Sequence, residues 1–171
     1  APQPKYRCLV WACPAHYYTN FTYWTQHCWG VTCVNDMEAM LSYQPITIGD
    51  KEQALADLVR CYEKMMMRSH TNGGYVNLLD ECWKMCEKFH TNIVIMYDHV
   101  SCKNVGGLHG LFEDQARERG IHLIWIPHDV MDPRTVSRRE MREAFSQYMV
   151  TVLNEKPLDP TLLDYEDTLS W

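Results

Sequence analysis

Residues 92–97, Asn-Ile-Val-Ile-Met-Tyr, form an apolar, β-branched run without alternation. A strand with that pattern is covered on both faces, which is the situation of a strand inside a parallel sheet. Three other compact runs share its character: Tyr-Arg-Cys-Leu-Val-Trp-Ala at 6–12, Val-Thr-Cys-Val-Asn at 31–35, and Ile-His-Leu-Ile-Trp-Ile-Pro at 121–127. Each is separated from the next by enough chain for a helix. Strand, helix-length connection and strand in repetition imply βαβ crossovers and a parallel sheet.

The connections carry helix signals. Residues 17–30 are aromatic-rich and end on Gly30, a suitable C-cap. Asp50 with Gln53 three residues on predicts a capping box, followed by a face of Ala54, Leu55, Leu58, Val59, Tyr62, Met65 and Met66. The segment Arg68–Gly74 predicts a break, and Tyr75 to Phe89 a further helix burying Leu78, Leu79, Cys82, Met85, Cys86 and Phe89. Gly106-Gly107 leads into a helix that Gly120 ends. Ser137 and Glu140 form a second capping box, ahead of a stripe of Met141, Phe145, Tyr148, Met149 and Val152. The expected fold class is α/β, a small doubly wound parallel sheet of about four strands, flavodoxin-like, with helices on both faces. Residues 1–153 form a single α/β domain, and 154–171 an acidic C-terminal tail expected to pack loosely.

The 171 residues, 46% hydrophobic and 22% charged with a net charge of −6, leave no basic footprint for nucleic acid. No apolar run is long enough to span a membrane, and no basic segment precedes a short apolar one at the start. The expectation is a cytoplasmic protein without nucleic-acid or membrane partners. Eight cysteines fall largely inside patterned strands and helices, so they read as mostly free, buried thiols in a reducing compartment. The chain opens on Ala1 close to its first strand, which fits a domain from a longer polypeptide.

In a sheet of this type ligands bind beyond the carboxyl ends of the strands. Three loops occupy that edge: Ala12–Tyr18, Tyr97–Lys103 and His128–Arg134. They gather Cys13, His16, Asp98, His99, Ser101, Cys102, Lys103, His128, Asp129, Asp132 and Arg134. No glycine-rich phosphate loop follows the first strand, and no CxxC or HExxH element marks a structural zinc site. Asp132-Pro133 suits a turn, with Arg134 as an ion-pair partner. His128 reads as an ordinary loop residue, and Cys28, Cys33, Cys82 and Cys86 read as packing residues. Cys102 differs, lying in a polar loop before a helix N-terminus and beside Lys103, both of which favour thiolate. His99 stands within reach as a base. Metal ligand, nucleophile and inert thiol all remain open on the residues alone.

Ser101-Cys102-Lys103, then Gly120-Ile121, Asp129, Asp132-Pro133-Arg134, Ser137, Arg142 and Phe145 occur in an order that resembles the C-terminal domain of the 2-hydroxyacyl-CoA dehydratase and benzoyl-CoA reductase family. The strong part of the resemblance covers about residues 90–153. The Arg68–Gly74 segment and the first turn, with Cys13 where glycine is usual, match more loosely. The resemblance implies that Cys102 is one of three cysteines holding a 4Fe-4S cluster, the other two lying in an upstream domain. It further implies a second homologous subunit, an ATP-dependent electron-donating activator and an acyl-CoA substrate. The implied chemistry is dehydration of a 2-hydroxyacyl-CoA through a ketyl radical, or benzoyl-CoA-type ring reduction, with the isolated chain inactive. Cys13 is a candidate further ligand at the same edge. His16, His99, Ser101, Lys103, Asp132 and Arg134 are candidate groups around cluster or substrate. Two other readings stand beside this one: a non-catalytic assembly domain of the same fold, and a cysteine-nucleophile hydrolase using Cys102 and His99.

Overall fold

The central strands are β1 (Tyr6–Trp11), β2 (Val31–Asp36), β3 (Ile93–His99) and β4 (His122–His128), all parallel, in the order β2-β1-β3-β4. In this computed structural model, residues 4–38, 45–63 and 65–164 are described. The apolar run at 92–97 is the reason for the arrangement. Ile93, Val94, Ile95 and Met96 are fully buried, so β3 must lie inside the sheet with cover on both sides. Leu9, Val10 and Trp11 of β1 are equally buried and pair with Val94, Ile95 and Met96. β2 and β4 are the two edges, and of β2 only Val31 is buried. The register shifts between Cys8 and Leu9, where the pairing with β2 passes from Cys33 to Asn35 and skips Val34.

Helices α1 (Phe21–Trp29), α2 (Lys51–Glu63), α3 (Met66–Phe89), α4 (Lys103–Gly106), α5 (His109–Arg119) and α6 (Arg138–Thr151) fill the connections. On one face Phe21 of α1, Phe145 of α6 and Tyr97 of β3 interlock, the Phe21 and Phe145 rings lying 5.8 Å apart and perpendicular. On the other face Trp83 of α3 meets Phe112 of α5, ring centroids 5.7 Å apart. This is the doubly wound α/β fold the alternation predicts. Gly30 ends α1 with φ of 70°, and its absent side chain matters, since a Cβ there would meet Leu158 at 3.0 Å.

Local signals hold with instructive exceptions. The Ser137–Glu140 capping box forms in both directions. At α2, Asp50 accepts from the Glu52 and Gln53 backbone N–H groups, but the Gln53 side chain turns to Asp57 instead of closing the box. The predicted break at Arg68–Gly74 becomes a kink. Helix α3 runs through it and departs from helical geometry at Gly74, where φ is 72°. The apolar face of α2 is present but open to solvent, with Leu55, Leu58, Val59 and Tyr62 exposed, while the buried Asp57 bonds only within α2 and the segment before it, to Thr47, Gln53 and Arg60. On α6 Met141, Phe145 and Met149 are buried, while Val152 lies past the last turn and is exposed.

The segment after α6 is tied down more firmly than a loose tail. Glu155 takes hydrogen bonds from Lys5 and from the Tyr6 hydroxyl at 2.6 Å, Leu158 N–H donates to the Cys28 carbonyl at 2.7 Å, and Trp24 Nε1 donates to the Leu162 carbonyl at 2.9 Å. The Glu155 contact pushes the Tyr6 hydroxyl up to about 12.

Candidate functional site

The strand order puts the topological switch between β1 and β3, because the chain leaves β1 toward β2 and later returns to the opposite side of β1. A crevice opens beyond the carboxyl ends of strands that part in this way. It is present here as a cleft of about 280 Å³ lined by Ala12, Cys13, Met37, His70, Leu78, Tyr97, His99, Cys102, Asn104, Val105 and Val130. The walls are mainly apolar, and two of the chain's thiols open on them. A shallower depression beside it includes Asp98, Cys102, Lys103 and His109.

The β3 loop is set by short-range bonds. Cys102 N–H donates to the His99 carbonyl at 2.8 Å, and Val100 N–H to the His128 carbonyl at 3.0 Å, so the loop is clipped to the end of β4. His99 Nδ1 accepts from the Ser101 backbone N–H at 3.1 Å and lies 3.0 Å from the Ser101 hydroxyl. Cys102 is the residue at which α4 begins, and its side chain makes no capping bond. α4 is a single turn, so the helix dipole expected at this position is small. Among the described residues no hydrogen bond joins the Cys102 thiol to the His99 ring. The base–nucleophile contact of the hydrolase reading is therefore missing.

The β4 loop is built by aspartates. Asp129 accepts from the backbone N–H groups of Met131 and Asp132, both at 2.9 Å, and Asp132 accepts from Arg134 N–H at 3.0 Å. Arg134 closes on Asp132 through Nε and Nη2, the latter at 2.6 Å, and the guanidinium holds the Asp132 carboxyl down at about 2. These two residues shape the loop and do not line the cleft.

The β1 loop contains a cluster. Cys13 Sγ donates to Glu38 Oε1 at 3.0 Å and lies 3.7 Å from His16 Nε2, which is 3.8 Å from the same carboxylate. Partial burial, then the hydrogen bond and charge of Glu38, push the Cys13 thiol up to about 12. Ala12 before it holds φ of 66°, an uncommon left-handed conformation for a residue with a side chain. Glu38 belongs to the loop after β2, the fourth strand end on this edge, outside the three loops that the sequence pattern marks. His70 reaches the cleft from α3, its ring 5.5 Å from that of Trp11 and its Nε2 without a hydrogen-bond partner.

His128 is not a loop residue. It is the last residue of β4, fully buried, with both ring nitrogens unpartnered. It packs edge-on to Tyr97 at 5.1 Å and to His99 at 5.4 Å. Cys8, Cys28, Cys82 and Cys86 are buried, and all eight cysteines are free thiols.

Fold and site together define a doubly wound α/β domain with a thiol-bearing, largely apolar cleft at the switch point. The particular family follows from comparison: the model of the 2-hydroxyglutaryl-CoA dehydratase, D-component, matches residues 1–149, and the chain belongs to that family. No curated protein sequence matches it. No helix among the described residues is long and apolar enough to cross a membrane.

Proposed function

We propose that this chain is the cleft-bearing domain of a dehydratase subunit acting on 2-hydroxyacyl-CoA thioesters, with Cys102 contributing one thiolate to a 4Fe-4S cluster. The observation that carries the reading is the coincidence of Cys102 with the switch-point cleft in a chain of the dehydratase family. The donor set on this chain is short of what a cluster requires. A cluster left open at one iron takes three thiolates. Among the described residues the thiols lining the cleft are those of Cys13 and Cys102, and Cys13 is already engaged by Glu38 and His16. In this reading the remaining thiolates come from an upstream domain of the same subunit, and the isolated chain is inactive.

A bound cluster supplies one-electron chemistry, received from an ATP-dependent activator and directed at the acyl-CoA held between this subunit and a homologous partner. The chain's own residues have narrower tasks. The bond from Cys102 N–H to the His99 carbonyl and the Ser101 contact with His99 Nδ1 hold the thiol-bearing loop in place. Lys103 adds positive charge at the rim, which offsets the negative charge of a thiolate-bound centre. Met37, Leu78, Tyr97, Val105 and Val130 keep the cleft apolar, so that charge forming there is poorly screened by water. Dehydration is preferred to ring reduction because the matched family is described by a dehydratase.

The test is iron and acid-labile sulfide per chain after anaerobic purification, for this chain alone and for the chain produced with its upstream domain. Cluster content should appear with the upstream domain and be lost in Cys102→Ser. Unchanged iron and sulfide in Cys102→Ser would refute the assignment.

A further inference from the structure

We propose that Cys13, His16 and Glu38 form a mononuclear binding site for a divalent transition metal, zinc by its donor set, separate from the function assigned to Cys102. The three residues offer one sulfur, one imidazole nitrogen and one carboxylate oxygen, and the three ligand atoms lie within 4.8 Å of one another. This mixture of borderline-soft donors suits zinc and does not suit calcium or magnesium, which take oxygen ligands.

The spacing fits a tetrahedral ion. With zinc–sulfur near 2.3 Å and zinc–nitrogen and zinc–oxygen near 2.1 Å, tetrahedral angles place neighbouring ligand atoms roughly 3.4–3.6 Å apart. The observed separations are 3.7 Å for Cys13 to His16, 3.8 Å for His16 to Glu38 and 3.0 Å for Cys13 to Glu38. Only the last is short, and it is short because the thiol proton bridges the two atoms. When an ion replaces that proton, the proton leaves to solvent and this edge opens by about half an ångström, within the reach of a side-chain rotation. The other two edges need to close by only a few tenths.

The backbone holds these donors before any ion arrives. His16 N–H donates to the Val130 carbonyl at 2.8 Å, Met37 N–H to the Val10 carbonyl at 3.0 Å, and Glu38 N–H to the Asp36 carboxylate at 2.7 Å. Two strand ends and the β4 loop thus converge on one point, and the left-handed Ala12 lies in the turn that delivers Cys13. His16 and Glu38 are about half exposed, at 49% and 41% of their side chains. Three protein donors and an open side leave the fourth position to water or a small anion, which is the pattern of a reactive rather than a closed structural site. Cys13 also lines the switch-point cleft, so a ligand on that ion would stand at its mouth.

The experiment is anaerobic titration of the reduced, chelator-treated chain with Co²⁺, a spectroscopic stand-in for Zn²⁺, followed by displacement with Zn²⁺. One equivalent should bind with visible bands of a tetrahedral centre and a near-ultraviolet thiolate-to-cobalt charge-transfer band, and release about one proton. Cys13→Ser should abolish the charge-transfer band. His16→Ala and Glu38→Gln should each weaken binding roughly tenfold or more. Cys102→Ser should leave all of this unchanged, which separates the site from the cluster proposal. His16 and Glu38 are surface residues, so those variants decide the matter even if Cys13→Ser folds poorly. Absence of stoichiometric cobalt, a charge-transfer band that survives Cys13→Ser or disappears in Cys102→Ser, or affinity indifferent to His16→Ala and Glu38→Gln would overturn the proposal.

Discussion

Removing His128 should flatten the acid limb of the protein's stability. The ring is fully buried at the end of β4, and neither nitrogen has a hydrogen-bond partner. Burial first, and the neighbouring His99 second, lower its pKa, while nearby backbone groups of Cys13, Asp98 and Ile126 oppose the shift without reaching hydrogen-bond geometry. The folded state therefore binds this proton more weakly than the unfolded chain does. Stability contributed by the neutral ring is complete above the unfolded value of about 6.5 and is lost as pH falls below it. Each pH unit below that value costs up to about 1.4 kcal/mol until the folded-state pKa is reached. Between pH 7.5 and 5.5 the loss from this one residue is therefore at most about 1.4 kcal/mol. His128→Leu replaces the ring with an apolar side chain of comparable size, so at pH 7.5 its stability should match or slightly exceed the parent's. The assay is urea unfolding of both proteins at pH 7.5, 6.5 and 5.5 in the presence of a chelator, with m compared throughout. With m near 2 kcal/mol/M, the midpoints should diverge as pH falls, by up to about 0.7 M at the lowest pH, the variant being the more stable. His70, whose pKa burial also lowers, stays in both proteins and cancels in the difference. Parallel pH profiles would refute the reasoning and would mean that His128 finds a partner in solution.

Three further outcomes follow from the geometry. Phe145→Ala removes a fully buried ring that packs against Phe21 and Trp24, and should cost about 3–5 kcal/mol in chemical denaturation. Gly30→Ala forces a side chain into the left-handed C-cap of α1 and against Leu158, and should lower stability by about 1–2 kcal/mol with no change in secondary structure by circular dichroism. In the metal-free protein Cys13 should alkylate more slowly than an unperturbed thiol near pH 8.5, and Glu38→Gln should speed it, since burial and the Glu38 carboxylate both favour the protonated thiol.

The edge at which the loops converge was legible in the sequence. The parallel topology alone sends the loops after β1, β3 and β4 to one edge, and Cys13, His99, Cys102 and Val130 do meet there. Glu38 was not legible, because its relevance depends on β2 lying beside β1, which is a pairing between distant segments. His70 was hidden for a similar reason: only the path of α3 across the sheet brings it to Trp11 and the cleft. The Cys102 helix argument failed on length, since local glycines stop α4 after one turn and the longer helix starts afresh at His109.

Local chemistry along the chain determined the elements: β-branched runs made strands, Gly30 and Gly120 ended helices, and Ser137 with Glu140 opened one. Those features act through neighbours a few residues apart, so they survive in a one-dimensional reading. Tertiary structure decided which apolar faces were covered. The stripe on α6 is buried and the comparable stripe on α2 is not, although both have helical periodicity, because burial depends on whether another element arrives to cover the face. It also decided that His128 is sealed inside the protein, and that Cys13 meets the Glu38 carboxylate from the loop after β2. Such encounters depend on sheet order and loop path, which no local pattern encodes.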